Sequence, residues 1–223
     1  MKSAPEGFPT ENNLSLDEEE LPKLEEGTFL VKINVFSLDP YMRGMMNPVA
    51  YGVERTYPRK MGGGAVGEVL ATKNTEFQVG DTVLGDFGWQ EYALSTGKGV
   101  RKLGQPKVPL SYYLGVLGMP GSTAYFGLLD ITKPQPGETV VVSAATGAVG
   151  QLVGQIAKLK GCRVVGIAGG PAKCQFAKET GYDECVDYLG KTREELTAEL
   201  TKAAPSGYNI YFDNTGVSVC GQI

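Results

Sequence analysis

The sequence contains no histidine. That excludes His-based acid/base chemistry, Ser-His-Asp and Cys-His nucleophile systems, and most catalytic zinc sites. Cysteine is scarce: Cys162, Cys174, Cys185 and Cys220 all fall in the second half, and none form a C-x-x-C pair. This argues against a disulfide framework or a metal site and for buried or incidental free thiols. No apolar run reaches the length of a membrane span. The opening segment, Met1-Lys2-Ser3-Ala4-Pro5-Glu6-Gly7, lacks the apolar core of a signal peptide. Strong charge is missing too. The 21 basic and 25 acidic residues leave a net charge of -4, which removes the electrostatic case for nucleic acid or an anionic membrane as partner. A cytosolic chain is the simplest expectation.

What is present suits a packed core: 42% of the 223 residues are hydrophobic, enough chain for one large domain or two small ones. The most informative stretch is Val140-Val141-Val142-Ser143-Ala144-Ala145-Thr146-Gly147-Ala148-Val149-Gly150. A β-branched run enters a turn of small residues. A helical pattern then follows over Gln151 to Lys160, with Leu152, Val153, Ile156, Ala157 and Leu159 apolar. A second apolar run, Arg163 to Ala168, completes a βαβ unit. The turn reads Ala145-x-Gly147-x-x-Gly150, a dinucleotide fingerprint with alanine first. In such a turn Gly147 admits a pyrophosphate close to the backbone, and Gly150 lets the helix sit close on the sheet. The helix N-terminus turns free N–H groups toward the phosphates. Gly154 is expected to help the helix pack near the strands.

Residues 1–27 are polar and acidic, and the run Asp17 to Glu20 reads as a solvated face or loop. Strand patterns follow at Thr28–Leu38, Ala65–Ala71, Thr75–Gly85 (after a turn) and Trp89–Leu94. Tyr41–Met46 reads as a loop or short helix, residues 47–60 as an irregular loop, and Met61–Gly64 as a flexible turn. Short strands separated by glycine turns suit a small β-barrel or sandwich. After Pro106-Lys107-Val108-Pro109 the pattern changes. Helices are expected over Gly121–Asp130, Pro171–Thr180 and Lys191–Ala204, and further strands over Cys185–Tyr188 and Tyr208–Asp213. The alternation of β and α is that of a doubly wound parallel sheet. The expected domains are therefore 1–107 and 108–223.

Cofactor choice is read at the end of the second strand of the βαβ unit. That strand ends Gly166-Ile167-Ala168-Gly169-Gly170, with no Asp or Glu to bind a ribose 2′-hydroxyl, and Lys173 follows. An ammonium there favours a 2′-phosphate and hence NADPH; the plainer alternative is a solvated helix lysine. Asn214, just past the last strand, is either a cofactor ligand or a turn former. Tyr188 either flanks the adenine-ribose phosphate or packs.

Taken together, five motifs resemble the zinc-independent medium-chain dehydrogenase/reductases, in particular the prostaglandin reductase/leukotriene B4 dehydrogenase branch. They are Ser37-Leu38-Asp39-Pro40-Tyr41-Met42-Arg43, Gly62-Gly63-Gly64-Ala65-Val66-Gly67, Leu117-Gly118-Met119-Pro120-Gly121-Ser122-Thr123-Ala124-Tyr125, Ala144 to Gly150, and Tyr211-Phe212-Asp213-Asn214. Zinc enzymes of the superfamily carry Gly-His-Glu where this chain has Gly62-Gly63-Gly64, in keeping with the missing histidine. The resemblance implies a GroES-like β-barrel substrate domain, a Rossmann NADPH-binding domain, a cleft between them, and no metal. It implies that Ala145, Gly147, Ala148, Val149 and Gly150 form the pyrophosphate turn. Lys173 and Tyr188 would meet the 2′-phosphate end, and Asn214, Met119 and Thr123 would also bind cofactor. Tyr41 and Trp89 are the implied substrate-side residues, with ordinary packing as the alternative for each.

The implied reaction is hydride transfer from NADPH to the β-carbon of an α,β-unsaturated ketone or aldehyde, such as a 15-oxo-prostaglandin or an alkenal. Donors would meet the developing enolate oxygen, and the α-carbon would take a proton. The family continues past Ile223 to complete about six strands, and its proton-relay tyrosine lies there, so no catalytic acid is assigned. Two other readings stay open: an NADPH-binding or interaction protein without turnover, and a quinone reductase of the same superfamily. The expected partners are a small enone and, as a further option, a second copy of the chain in a homodimer.

Overall fold

The computed structural model describes residues 1–216, and the chain divides into two compact units, Met1–Leu114 and Gly115–Ile223. Cys220 lies outside the described residues.

The first unit is built on β1 (Phe29–Phe36), whose Phe29 and Val31 are buried while Lys32 is exposed. Next come α1 (Tyr41–Met45) and a small hairpin of β2 (Val49–Ala50) and β3 (Val53–Glu54). That hairpin interrupts the 47–60 stretch expected to be irregular. β4 (Gly64–Thr72), β5 (Thr82–Asp86), β6 (Tyr92–Ser95) and β7 (Arg101–Lys102) complete a five-stranded sheet in the order β6-β1-β4-β5-β7, antiparallel throughout. Phe29, Val31, Ala65, Val69, Phe77, Val83, Phe87 and Ala93 form its core, with Phe29 stacked on Phe77 at 4.2 Å between ring centroids. A second cluster gathers Met1, Met42, Met46 and Met61 with Trp89 against it. The single-turn helix Leu110–Tyr113 packs on β1 and β4, so this unit runs on to Leu114, beyond the change of pattern at Lys107.

The second unit opens with α2 (Met119–Tyr125), which passes into a wider π-helical turn, Phe126–Thr132. β8 (Thr139–Ser143), α3 (Ala148–Leu159), β9 (Arg163–Ala168), α4 (Pro171–Glu179), β10 (Glu184–Asp187), α5 (Arg193–Ala203) and β11 (Ile210–Phe212) then alternate. The sheet order is β10-β9-β8-β11, and every pair is parallel. β8 has no exposed residue, as a strand covered on both faces requires. Val140 and Val142 pack with Val153, Ala157, Ala177 and Ile210 on one face, where α2, α3 and α4 lie. Val141 packs with Ile167, Leu196 and Leu200 under α5 on the other. This is the doubly wound arrangement expected from the alternation. Cys162 and Cys174 are buried, and the sulfurs of Cys174 and Cys185 lie 3.1 Å apart as free thiols. Among the described residues no helix is long and apolar enough to cross a membrane.

Candidate cofactor site

Because the four strands are parallel, their carboxyl ends share one edge. The chain steps from β8 to β9 to β10, then returns to lay β11 on the other side of β8. The reversal between β8 and β11 is the switch point at which open α/β sheets bind dinucleotides.

The fingerprint turn stands at that edge. β8 ends at Ser143, and Ala144 takes a left-handed φ of 44°. Ala145 N–H then donates to Ile167 O at 3.2 Å and Gly147 N–H to Ala144 O at 2.8 Å, which draws the corner tight. α3 begins at Ala148, three residues before the Gln151 start expected from the sequence. Gly150 therefore lies inside the first turn of the helix rather than ahead of it. A Cβ there would lie 2.3 Å from Ala144 O and 2.9 Å from Ala145 O, both fixed backbone atoms. At Gly147 the nearest atom, Ala144 O, is 3.2 Å away. Gly147 caps the helix without a side chain, and the first turn holds no acidic residue. The N–H groups of Ala148, Val149 and Gly150 have no intrahelical acceptor and carry the positive end of the helix dipole.

Tyr182, which the sequence did not single out, braces this corner. Its ring fills the space left at Gly154, where a Cβ would come within 2.3 Å of it. The room at Gly154 thus admits an aromatic ring rather than closer strands. Its hydroxyl donates to Gly150 O at 2.7 Å, and burial pushes the phenol well above its usual range. Tyr182→Phe is expected to lower unfolding stability by about 1 kcal/mol in chemical denaturation, the net worth of one buried hydrogen bond.

Over β9 the chain turns through Gly169 and Gly170 into α4. Tyr188 sits one residue past β10, its hydroxyl 3.0 Å from where a Cβ on Gly169 would stand. Lys173 is exposed in the first turn of α4, and its side chain makes no ion pair or hydrogen bond among the described residues. Asp187, also unforeseen, accepts the N–H groups of Gly170 at 2.7 Å and Leu189 at 3.0 Å. The Gly170 amide, then that of Leu189, hold its carboxyl below the usual range against a small opposing effect of burial.

At the end of β11, Asn214 Nδ2 donates to Ser143 O at 2.9 Å. Burial raises the Asp213 carboxyl, but bonds from Thr215 N–H, the Ser143 and Thr215 hydroxyls and Gly216 N–H outweigh it and hold the group below its usual range. Carboxyls depressed in this way add stability that is complete above about pH 4 and is lost as pH falls through their folded values. Thermal unfolding followed from about pH 7 downward is expected to show little change from Asp187 and Asp213 until about pH 4, then a falling midpoint.

The structure thus gathers the 145–150 turn, Asn214, Lys173 and Tyr188 along one sheet edge. Met119 and Thr123 lie on α2, which packs against α3, and the Thr123 hydroxyl donates to Met119 O at 2.8 Å. Tyr41 and Trp89 belong to the first unit. Tyr41 opens α1; burial first, then Asp39 and Asp86, push its phenol up, so it stays protonated. Trp89 lies beside the glycine triplet, its Nε1 3.4 Å from a Cβ position on Gly63 and its ring 6.2 Å from that of Phe36.

With this geometry in place, the likenesses to known proteins are specific. Residues 1–103 match a family described as the N-terminal domain of oxidoreductase, and residues 148–222 one described as zinc-binding dehydrogenase. A 2-alkenal reductase (NADP(+)-dependent) of Nicotiana tabacum is 43% identical over all of this chain, which spans 71% of that protein. The chain belongs to the zinc-independent medium-chain dehydrogenase/reductase family. Prostaglandin reductase 1 of Rattus norvegicus is 46% identical over 97% of the chain. The crystal structure of CurA in complex with NADPH from Vibrio vulnificus matches the whole chain with a TM-score of 0.92 at 47% identity, over 66% of its own length. The chain spans 64% of the rat protein. For the zinc of the second family description, the described residues offer no set of ligands. Histidine is absent, and among the described residues no three Cys, Asp or Glu side chains stand together as a metal site. The family's fold, an antiparallel N-terminal sheet followed by a parallel one, is the fold described above.

Proposed function

We propose that this chain binds NADPH on its second unit and reduces the alkene of α,β-unsaturated ketones or aldehydes. The observation that carries the reading is the uncapped N-terminus of α3 at the β8/β11 switch point, free of acidic side chains. The residues present fit the group. The amides of Ala148, Val149 and Gly150 would hold the diphosphate, Lys173 the 2′-phosphate, Tyr188 the adenosine end, and Asn214, with Met119 and Thr123, the remainder. When bound, the nicotinamide supplies a hydride. Everything else falls to the protein: fixing the diphosphate, selecting the extra phosphate, and keeping a protonated Tyr41 on the first unit, which with Trp89 is the proposed substrate-side pair. The name of the tobacco relative, a 2-alkenal reductase, supports the enone class, and a cytosolic setting is part of the proposal.

The test follows NADPH absorbance in the purified chain with a 2-alkenal, and in parallel with a quinone. Oxidation with the alkenal and little with the quinone is expected. Oxidation with the quinone alone would make the chain a quinone reductase. A second reading, NADPH binding without turnover, rests on the site itself, since its residues bind and orient and no proton donor is assigned among them. Cofactor fluorescence that saturates without oxidation of NADPH would establish it.

A further inference from the structure

Ser143, the last residue of β8, is fully buried, and its hydroxyl ties the end of that strand to the turn after β11. It donates to Asp213 Oδ1 at 2.8 Å and accepts the Asn214 N–H at 2.7 Å. Asp213 also accepts from Thr215 N–H at 3.0 Å, the Thr215 hydroxyl at 3.1 Å and Gly216 N–H at 3.0 Å, which fixes the turn after β11. The Asn214 side chain is thereby oriented. A carbonyl only accepts, so Nδ2 must face Ser143 O, and Oδ1 is turned away as an acceptor with no donor among the described residues.

We propose that Ser143 and Asp213 are positioning residues. They hold Asn214 so that its Oδ1 accepts a hydrogen bond from the nicotinamide-side half of the dinucleotide. This rests on the NADPH reading above. On that reading Lys173 and Tyr188 would hold the 2′-phosphate half over β9, and the amides of α3, beyond β8, would hold the diphosphate. The remaining nucleoside must then run toward β11, where Asn214 stands. The class of ligand group is a donor, either a ribose hydroxyl or a carboxamide N–H.

The test compares two ligands by calorimetry on the whole chain: NADPH and adenosine 2′,5′-bisphosphate, which lacks the nicotinamide half. Ser143→Ala is expected to weaken NADPH about tenfold, the effect of losing one well-placed bond. It should leave the bisphosphate within about twofold, because that half is held by residues with no shared partner. Ser143→Thr, which keeps the hydroxyl, should restore most of the loss. If Ser143→Ala does not fold, Asp213→Asn decides: Asp213 is exposed, and the replacement removes the charge and sets an amide N–H donor against groups that themselves donate to the carboxylate; the same selective loss is expected. Equal weakening of both ligands, or none, overturns the positioning role while leaving the NADPH reading intact. An unsubstituted chain that takes up no NADPH overturns that reading, and this inference with it.

Discussion

Gly150→Ala is expected to cost the chain both the stability of its second unit and its hold on NADPH, whereas Gly147→Ala should cost only the latter. The fingerprint treats the two glycines alike, but the structure does not. At 150 the added carbon would meet Ala144 O at 2.3 Å and Ala145 O at 2.9 Å. Neither atom can swing aside, because Ala144 O accepts the Gly147 amide and Ala145 N–H is bonded to β9. The first turn of α3 must therefore lift from the sheet by about an ångström, with a loss of about 3 kcal/mol in denaturant unfolding. A shift of that size also moves the amides proposed to hold the diphosphate out of register and should reduce NADPH affinity by about a hundredfold or more. At 147 the nearest atom is 3.2 Å away and φ is -74°, a backbone that alanine adopts without strain. That substitution should change unfolding by less than about 1 kcal/mol. Its methyl group would instead meet the incoming pyrophosphate, so fluorescence titration should show weak binding to a stably folded chain. Equal melting behaviour of the two variants would contradict this account.

Lys173→Ala is expected to lower NADPH affinity by about ten- to hundredfold and leave NADH affinity near its starting value. Isolated surface ion pairs contribute little, but a phosphate held by both an ammonium and a neighbouring helix N-terminus is a stronger case. The side chain has no partner among the described residues, so its removal breaks no contact within the fold. A lysine in the first turn of a helix also opposes the dipole, so the melting temperature should stay level or rise slightly. Loss of cofactor preference without loss of stability is the signature. Lys173→Glu should carry it further, and added salt should narrow the gap between NADPH and NADH for the unsubstituted chain.

Much of this architecture was legible from residue order. The valine run of β8, the apolar stripe of α3 and the alternation that follows each depend on neighbours within a few positions. The apolar period sets the start of α3 late, at Gln151, because Ala148, Val149 and Gly150 carry no helical period, although all three belong to the helix. The β2–β3 hairpin was hidden because each of its strands has only two residues. The site's supporting residues were not legible for another reason. Tyr182 meets Gly150 across 32 positions, and Ser143 meets Asp213 across 70. Nothing local in the sequence marks such pairs; they arise when parallel strands bring distant carboxyl ends to one edge. For the cofactor, the sequence offers the missing carboxylate after β9 and the presence of Lys173, on which the proposed preference for NADPH rests. The carboxylate of Asp187, which secures the Gly170 amide, comes from the adjacent strand and could not be read at that position.

The two-faced strand β8 has a consequence for motion. Val140 and Val142 belong to one apolar layer and Val141 to the other, so neither layer can loosen at this strand without disturbing its opposite. Amides of such a strand exchange with solvent only when the whole unit opens. The corner that follows it is thus tethered to the slowest-breathing part of the fold, and its shape is inherited from global cooperativity rather than from local rigidity.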